Sequence, residues 1–159
     1  MKKSFTLIEV MISIVIFSIL VLFTSKVIAS LNLSLNSLNK VYYENIKQSL
    51  LIKTLYADIL ASKNINLENR NKNYSILSIQ TTNSLYNISM PYVIWYVSKN
   101  NNSLMRLESS QKIVLPINNE DIFLDKFTSN LQIFKVYKKK NYFFVYIKNK
   151  KSLFFEFRK

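Results

Sequence analysis

An apolar run extends from Phe5 to Ser25, interrupted by one charge, Glu9, and preceded by Lys2 and Lys3. As a helix those residues would span roughly 31 Å, enough to cross the hydrocarbon core of a membrane. Beyond Lys26 the apolar positions recur at three and four: Ile28, Leu31, Leu35, Leu38, Tyr42, Ile46, then Ile52, Leu55 and Ile59. Ser, Asn, Lys and Gln fill most of the gaps, which is helical amphipathicity. Neither Pro nor Gly occurs between Phe5 and Ser62. The pattern therefore predicts one helix over about 5–62, roughly 87 Å long at about 1.5 Å per residue. Its first part would be membrane-buried, and its second would lay one stripe on a globular domain.

Residues 63–73, KNINLENRNKN, are polar and read as a loop. After them the period changes to two, and strands are predicted at 74–81, 92–98, 103–108, 122–127, 131–138, 142–148 and 152–158. The cleanest alternation sets Leu153, Phe155 and Phe157 against Glu156 and Arg158. Tyr142 to Ile147 is apolar on both faces, so this strand should be central or covered by the helix. Asn100 to Asn102, Lys138 to Asn141 and Lys148 to Lys151 would be hairpin turns, with Asn supplying the positive φ that glycine usually provides. Pro91 and Pro116 fit strand edges or turns. The expected fold is α+β: a long amino-terminal helix, membrane-spanning in its first half, packed on an antiparallel β-sheet.

Composition narrows the chemistry. The 159 residues contain no Cys, no His and no Gly. Thiol and imidazole catalysis, disulfide frameworks and glycine-built phosphate cradles are therefore excluded, and no catalytic residue, metal or cofactor is expected. Asp121 and Asp125 are the nearest thing to a carboxylate pair, and at that spacing they read as turn and surface residues. The net charge of +13 is uneven, because residues 126–159 hold ten basic groups and one acidic one. Lysines in turns and on solvated strand faces account for such a bias, and an anionic partner is the alternative.

Three readings compete for the amino terminus. A cleaved secretory signal would use Val27-Ile28-Ala29 as its cleavage site, but the apolar run is longer than such signals carry, and Lys26 sits just ahead of the cut. A plain anchor leaves Glu9, a charge expensive at membrane depth, without a purpose. The third reading rests on Ser4-Phe5-Thr6-Leu7-Ile8-Glu9-Val10 behind a basic leader. This segment resembles the prepilin processing site of type IV pilins and type II secretion pseudopilins. The resemblance implies cleavage by a prepilin peptidase between Ser4 and Phe5, N-methylation of Phe5, and retention of the anchor. Two departures stand out: Ser4 where the family prefers Gly, and no helix-kinking Pro in the anchor. Serine is small enough for processing to be expected.

Cleavage would create a cationic amine on Phe5, four residues before Glu9. A neighbouring helix staggered by about 6 Å would set its own amine beside this carboxylate, and each charge would offset the other's desolvation. Glu9 would thus set subunit register during assembly. The implied organisation is a leader at 1–4, a transmembrane part at 5–25, an amphipathic outer half at 26–62 and a β-rich periplasmic domain at 63–159, the pilin-like lollipop. The implied location is the bacterial inner membrane, single-pass with a cytoplasmic amino terminus, and then the filament. Implied partners are the peptidase, other pilins or pseudopilins through the amino-terminal helix, and an inner-membrane assembly platform.

Two further segments are similar to minor pseudopilins of the J class and related minor pilins. One is Leu50 to Ile59, an apolar helix end that includes Asp58. The other is Tyr92 to Val97, followed after an Asn-rich turn by Leu104-Met105-Arg106. Taken alone, Asp58 reads as solvated and Arg106 as a surface strand residue. The function implied is a minor pilin or pseudopilin that initiates or caps a type IV pilus-like or type II secretion filament. The alternative is a competence-type pilin whose basic carboxy-terminal region binds DNA. Its contact surface would be Lys135, Lys138, Lys139, Lys140, Lys148, Lys150 and Lys151, interleaved with Tyr137, Tyr142, Phe143 and Tyr146, though strand alternation favours a core role for these aromatics.

Overall fold

The computed structural model describes residues 6–69, 71–113 and 121–159. One helix, α1, runs without a break over Leu7–Leu60. Among the described residues eight strands follow: β1 (Ser62–Asn69), β2 (Ser75–Thr81), β3 (Tyr92–Ser98), β4 (Ser103–Ser109), β5 (Phe123–Thr128), β6 (Ile133–Lys139), β7 (Tyr142–Lys148) and β8 (Ser152–Arg158). The chain divides into two compact units, Met1–Asn45 and Ile46–Lys159. Pro116 lies outside the described residues, whereas Pro91 directly precedes β3, where its missing N–H costs no ladder bond.

Where one antiparallel sheet was expected there are two. The first has the order β1-β2-β3-β4-β5 and the second β6-β7-β8, antiparallel throughout. A parallel bridge between Tyr74 and Phe134 links the start of β2 to the start of β6. As its apolar character requires, β7 is the central strand of the second sheet.

The loop expected at 63–73 is largely a strand. β1 begins at Ser62, directly after the helix, and pairs with β2 from Ser62↔Thr81 to Asn69↔Ser75. Its period-two signal, Ile65 and Leu67 against Asn64, Asn66 and Glu68, is short and embedded in asparagine, a poor strand former. Ile65 and Leu67 nevertheless pack against the main core, and that burial outweighs propensity at a sheet edge.

The core joins the helix end to both sheets. Leu51, Leu55 and Ile59 of α1 share one cluster with Leu77, Ile79, Val93, Trp95 and Leu104 of the first sheet and with Phe134, Val136, Phe143, Val145, Ile147 and Phe157 of the second. A smaller cluster of Ile76, Ile94, Leu107 and Ile113 covers the opposite face of the first sheet. The helical stripe is buried over less of its length than its periodicity suggested. Burial on α1 is confined to Leu51, Thr54, Leu55, Asp58 and Ile59, whereas Ile28, Leu31, Leu35, Leu38, Tyr42 and Ile46 are exposed.

Without glycine, the turns use other residues at positive φ. Asn101 and Asn102 take it between β3 and β4, and Asn130 takes it before β6. At the two-residue β6–β7 turn the left-handed residue is Lys140 (φ 55°). A side chain with a Cβ bears a steric cost there that asparagine or glycine would reduce.

Candidate functional site

The amino-terminal site starts where α1 starts. Ser4 and Phe5, the expected cleavage and methylation positions, lie outside the described residues. Thr6 stands immediately before the helix, and its carbonyl accepts from the Glu9 N–H at 3.1 Å. The Glu9 carboxylate turns back along the chain. Its Oε2 accepts from the Thr6 backbone N–H at 2.9 Å and from the Thr6 hydroxyl at 3.0 Å. This is half of a capping box: the acid three residues into the helix satisfies an otherwise orphaned donor and complements the positive helix end. From Glu9 to Ser25 the side chains are exposed, and Ser13, Ser18, Thr24 and Ser25 each return their hydroxyl to a carbonyl three or four residues back. Satisfied this way, small polar residues are tolerated on an apolar helix. Among the described residues, α1 is the helix long and apolar enough to cross a membrane.

A second polar constellation lies inside the domain. Asp58 in the last turns of α1 and Arg106 in β4 meet in the core with side chains fully buried. Neither is the solvated surface residue it resembles in isolation. Asp58 accepts four hydrogen bonds. Its Oδ2 takes Trp95 Nε1 (2.8 Å) and Arg106 Nε (2.9 Å), and its Oδ1 takes Asn83 Nδ2 (2.7 Å) and Arg106 Nη2 (3.1 Å). Arg106 Nη1 donates to Glu108 Oε2 at 2.5 Å. Glu108 also accepts the Ser84 hydroxyl, and the Leu85 N–H at 3.0 Å.

Sheet register explains the convergence. Leu77, Trp95, Arg106 and Asp125 stand in one cross-strand row facing the helix, so Trp95 and Arg106 are direct neighbours. Burial alone would disfavour the Arg106 charge, but Asp58 and Glu108 outweigh it and hold the guanidinium above its ordinary pKa. For Glu108 burial pushes upward, yet the Ser84 hydroxyl, the Leu85 N–H and Arg106 together hold the carboxyl below its ordinary value. The Tyr86 hydroxyl donates to Asp125 Oδ1 at 2.6 Å, which raises the phenol pKa. Asp125 is thereby committed to this network, with Oδ2 3.8 Å from Arg106 Nη1, while Asp121 is exposed.

The sequence carried a signal for Asp58. It follows Leu51, Thr54 and Leu55 at helical spacing, on the face that is buried. Glu108 and Asn83 had no such signal, because only the fold brings them to Arg106 and Asp58.

The seven candidate lysines do not form one patch. Lys138, Lys139 and Lys140 sit at the β6–β7 turn, and Lys148, Lys150 and Lys151 at the β7–β8 turn, opposite ends of the second sheet. Lys135 is buried, and its ammonium donates to the Asn71 carbonyl at 2.7 Å and to Asn69 Oδ1 at 3.2 Å. It ties β6 to the β1–β2 connection. Of the interleaved aromatics, Phe143 faces the core, while Tyr137 and Tyr142 are exposed.

The family model of the prokaryotic N-terminal methylation motif matches residues 1–25. The amino terminus is thus a type IV pilin-like prepilin signal. No curated protein and no solved structure matches the chain.

Proposed function

We propose that this prepilin-type chain is a minor pilin or pseudopilin, a structural subunit that primes or caps a type IV pilus-like or type II secretion filament, of the J class or a similar minor type. The observation that carries the reading is the methylation motif at 1–25, whose apolar stretch holds one acid, Glu9. The exposed apolar side chains of α1, from Leu7 to Ile46, support it, because they suit lipid before assembly and neighbouring helices afterwards.

In this mechanism the prepilin peptidase cuts between Ser4 and Phe5 and methylates the new amine. The Glu9 carboxylate exchanges its contacts with Thr6 for the Phe5 amine of an adjacent subunit, which neutralises both charges and sets axial register. An assembly platform in the inner membrane draws the subunit into the filament, and the β-rich domain stays on the periplasmic side.

Mass spectrometry of the protein from cells with and without prepilin peptidase tests the reading. An N-methylated Phe5 start in the first and an intact Met1 in the second are expected. A Met1 or Ser30 start in peptidase-containing cells overturns it.

A further inference from the structure

At the β6–β7 turn end of the second sheet lies a cavity of about 410 Å³ lined by Lys138, Lys140, Asn141, Phe143 and Lys159. Strand register builds it. Lys138 follows Phe134 and Val136 on the core-facing side of β6, and the row Lys138–Phe143–Phe157 crosses the three strands. Phe143 is buried, with the Lys138 ammonium 5.6 Å from its ring centre, so one wall of the cavity is aromatic. Lys159, just past β8, donates its backbone N–H to the Asn141 carbonyl at 2.8 Å. Its ammonium reaches the start of β1, where it donates to the Ser62 carbonyl at 2.6 Å and to the Ser62 hydroxyl.

Three cations thus share one concavity, and none of them forms an ion pair among the described residues. One lysine at the rim of a core is ordinary, because its stem covers apolar surface while its ammonium reaches water. Three around one cavity repel one another. Partial burial, and then the charge of Lys138, hold the Lys159 ammonium below its ordinary pKa. Ser62 takes two of the three Lys159 donors and leaves one free. Packing gains nothing from gathering these charges, whereas a bound anion would relieve their repulsion.

We propose that this cavity binds a phosphate monoester. Near neutral pH such a group approaches a double negative charge and presents three acceptor oxygens, one for each ammonium. A carboxylate or a phosphodiester brings a single charge. The cavity extends past the cations to Asn141, whose side-chain amide both donates and accepts and so suits a hydroxyl on the esterified group. The same chemistry occurs on soluble sugar and glycerol phosphates and on the headgroup of phosphatidic acid. The inference does not rest on filament assembly.

The test is isothermal titration calorimetry of the full chain in an uncharged detergent. Its probes are glycerol phosphate in solution and phosphatidic acid in the micelle, with dimethyl phosphate as the diester control. Monoester binding at least about tenfold tighter than diester binding is expected, the equivalent of one charged hydrogen bond. Binding of glycerol phosphate identifies a soluble ligand, and binding of phosphatidic acid alone identifies a lipid. Lys138→Gln/Lys159→Gln should weaken monoester binding by about tenfold or more. Lys148→Gln/Lys150→Gln removes the same charge at the other end of the sheet, about 20 Å away, and should leave binding within about twofold. Circular dichroism checks that the variants fold. Should loss of the Ser62 contact unfold the first, Lys140→Gln, which breaks no hydrogen bond among the described residues, should still weaken binding measurably. Binding of neither monoester, equal affinity for monoester and diester, equal losses in the two double variants, or no loss in Lys140→Gln overturns the proposal.

Discussion

Asp58 near the end of α1 and Arg106 in β4, 48 residues apart in the chain, form a side-on bidentate ion pair at 2.9 and 3.1 Å with both side chains fully buried. The pair fastens the last turns of the helix to the middle of the first sheet. Trp95 and Asn83 also donate to Asp58, and Arg106 also donates to Glu108, additional hydrogen bonds of the kind that make a buried charge pair tolerable.

Breaking one side of this pair should be costly. Asp58→Ala would leave Arg106 with its Glu108 contact but without its bidentate partner, and Trp95 Nε1 and Asn83 without acceptors. A loss of about 3–5 kcal/mol is expected, read by denaturant unfolding with Trp95 fluorescence as the probe. The double variant Asp58→Leu/Arg106→Met should recover much of that loss, because it removes both charges together. If each single variant costs less than about 1 kcal/mol, the network does not hold the helix end.

Acid should loosen the same region through Glu108. Its folded pKa lies below the ordinary value of 4.5, so the unfolded chain takes up a proton at higher pH than the folded one. The stability it contributes is fully present above the unfolded value and declines as pH falls through the lowered folded value. Thermal melts from pH 7 to 3 should show a plateau followed by a fall. Glu108→Gln should be less stable at neutral pH and should show a smaller fall.

Helix capping by Glu9 and the charge pairing proposed for it can be separated by substitution. Glu9→Gln keeps an oxygen for Thr6 but removes the charge, whereas Thr6→Ala removes the hydroxyl and keeps the charge. If the acid acts by pairing with a neighbour's amine, Glu9→Gln should reduce filament incorporation by roughly tenfold to a hundredfold, the equivalent of about 1.5–3 kcal/mol for a charged hydrogen bond. Thr6→Ala should leave incorporation near the parent level. Immunoblotting of sheared filaments against the membrane fraction measures both. Equal losses in the two variants would mean that helix capping, not charge, is what assembly needs.

The β6–β7 turn can be improved. Lys140 sits at φ 55°, where a residue with a Cβ costs about 1–2 kcal/mol, so Lys140→Gly should raise the stability of the β-rich unit by roughly 0.5–1 kcal/mol. An unchanged or lower melting temperature would show that the turn is not a source of strain.

Local periodicity carried much of the fold. The helix ends within two residues of the expected bounds, and all seven expected strands form, because alternation of two and of three to four reflects which side of an element meets the core. β1 was not legible, since asparagine-rich segments look like loops until a partner strand is present to pair with them. The split into two sheets was not legible either, because period-two patterning says that a strand has a buried face and is silent about which neighbour it joins.

The same division applies to the chemistry. Covalent order alone determined the amino-terminal signal: a basic leader, Ser4-Phe5 and one acid in an apolar run are recognisable by local spacing, which needs no folded domain. Tertiary structure decided the fate of the scattered charges. It brought Asp58, Arg106 and Glu108 into one buried network, placed Lys135 inside, and sent six other lysines to opposite ends of a sheet. A charge is legible in sequence, but its partner is set by strand register and helix packing. Those depend on contacts between residues far apart in the chain.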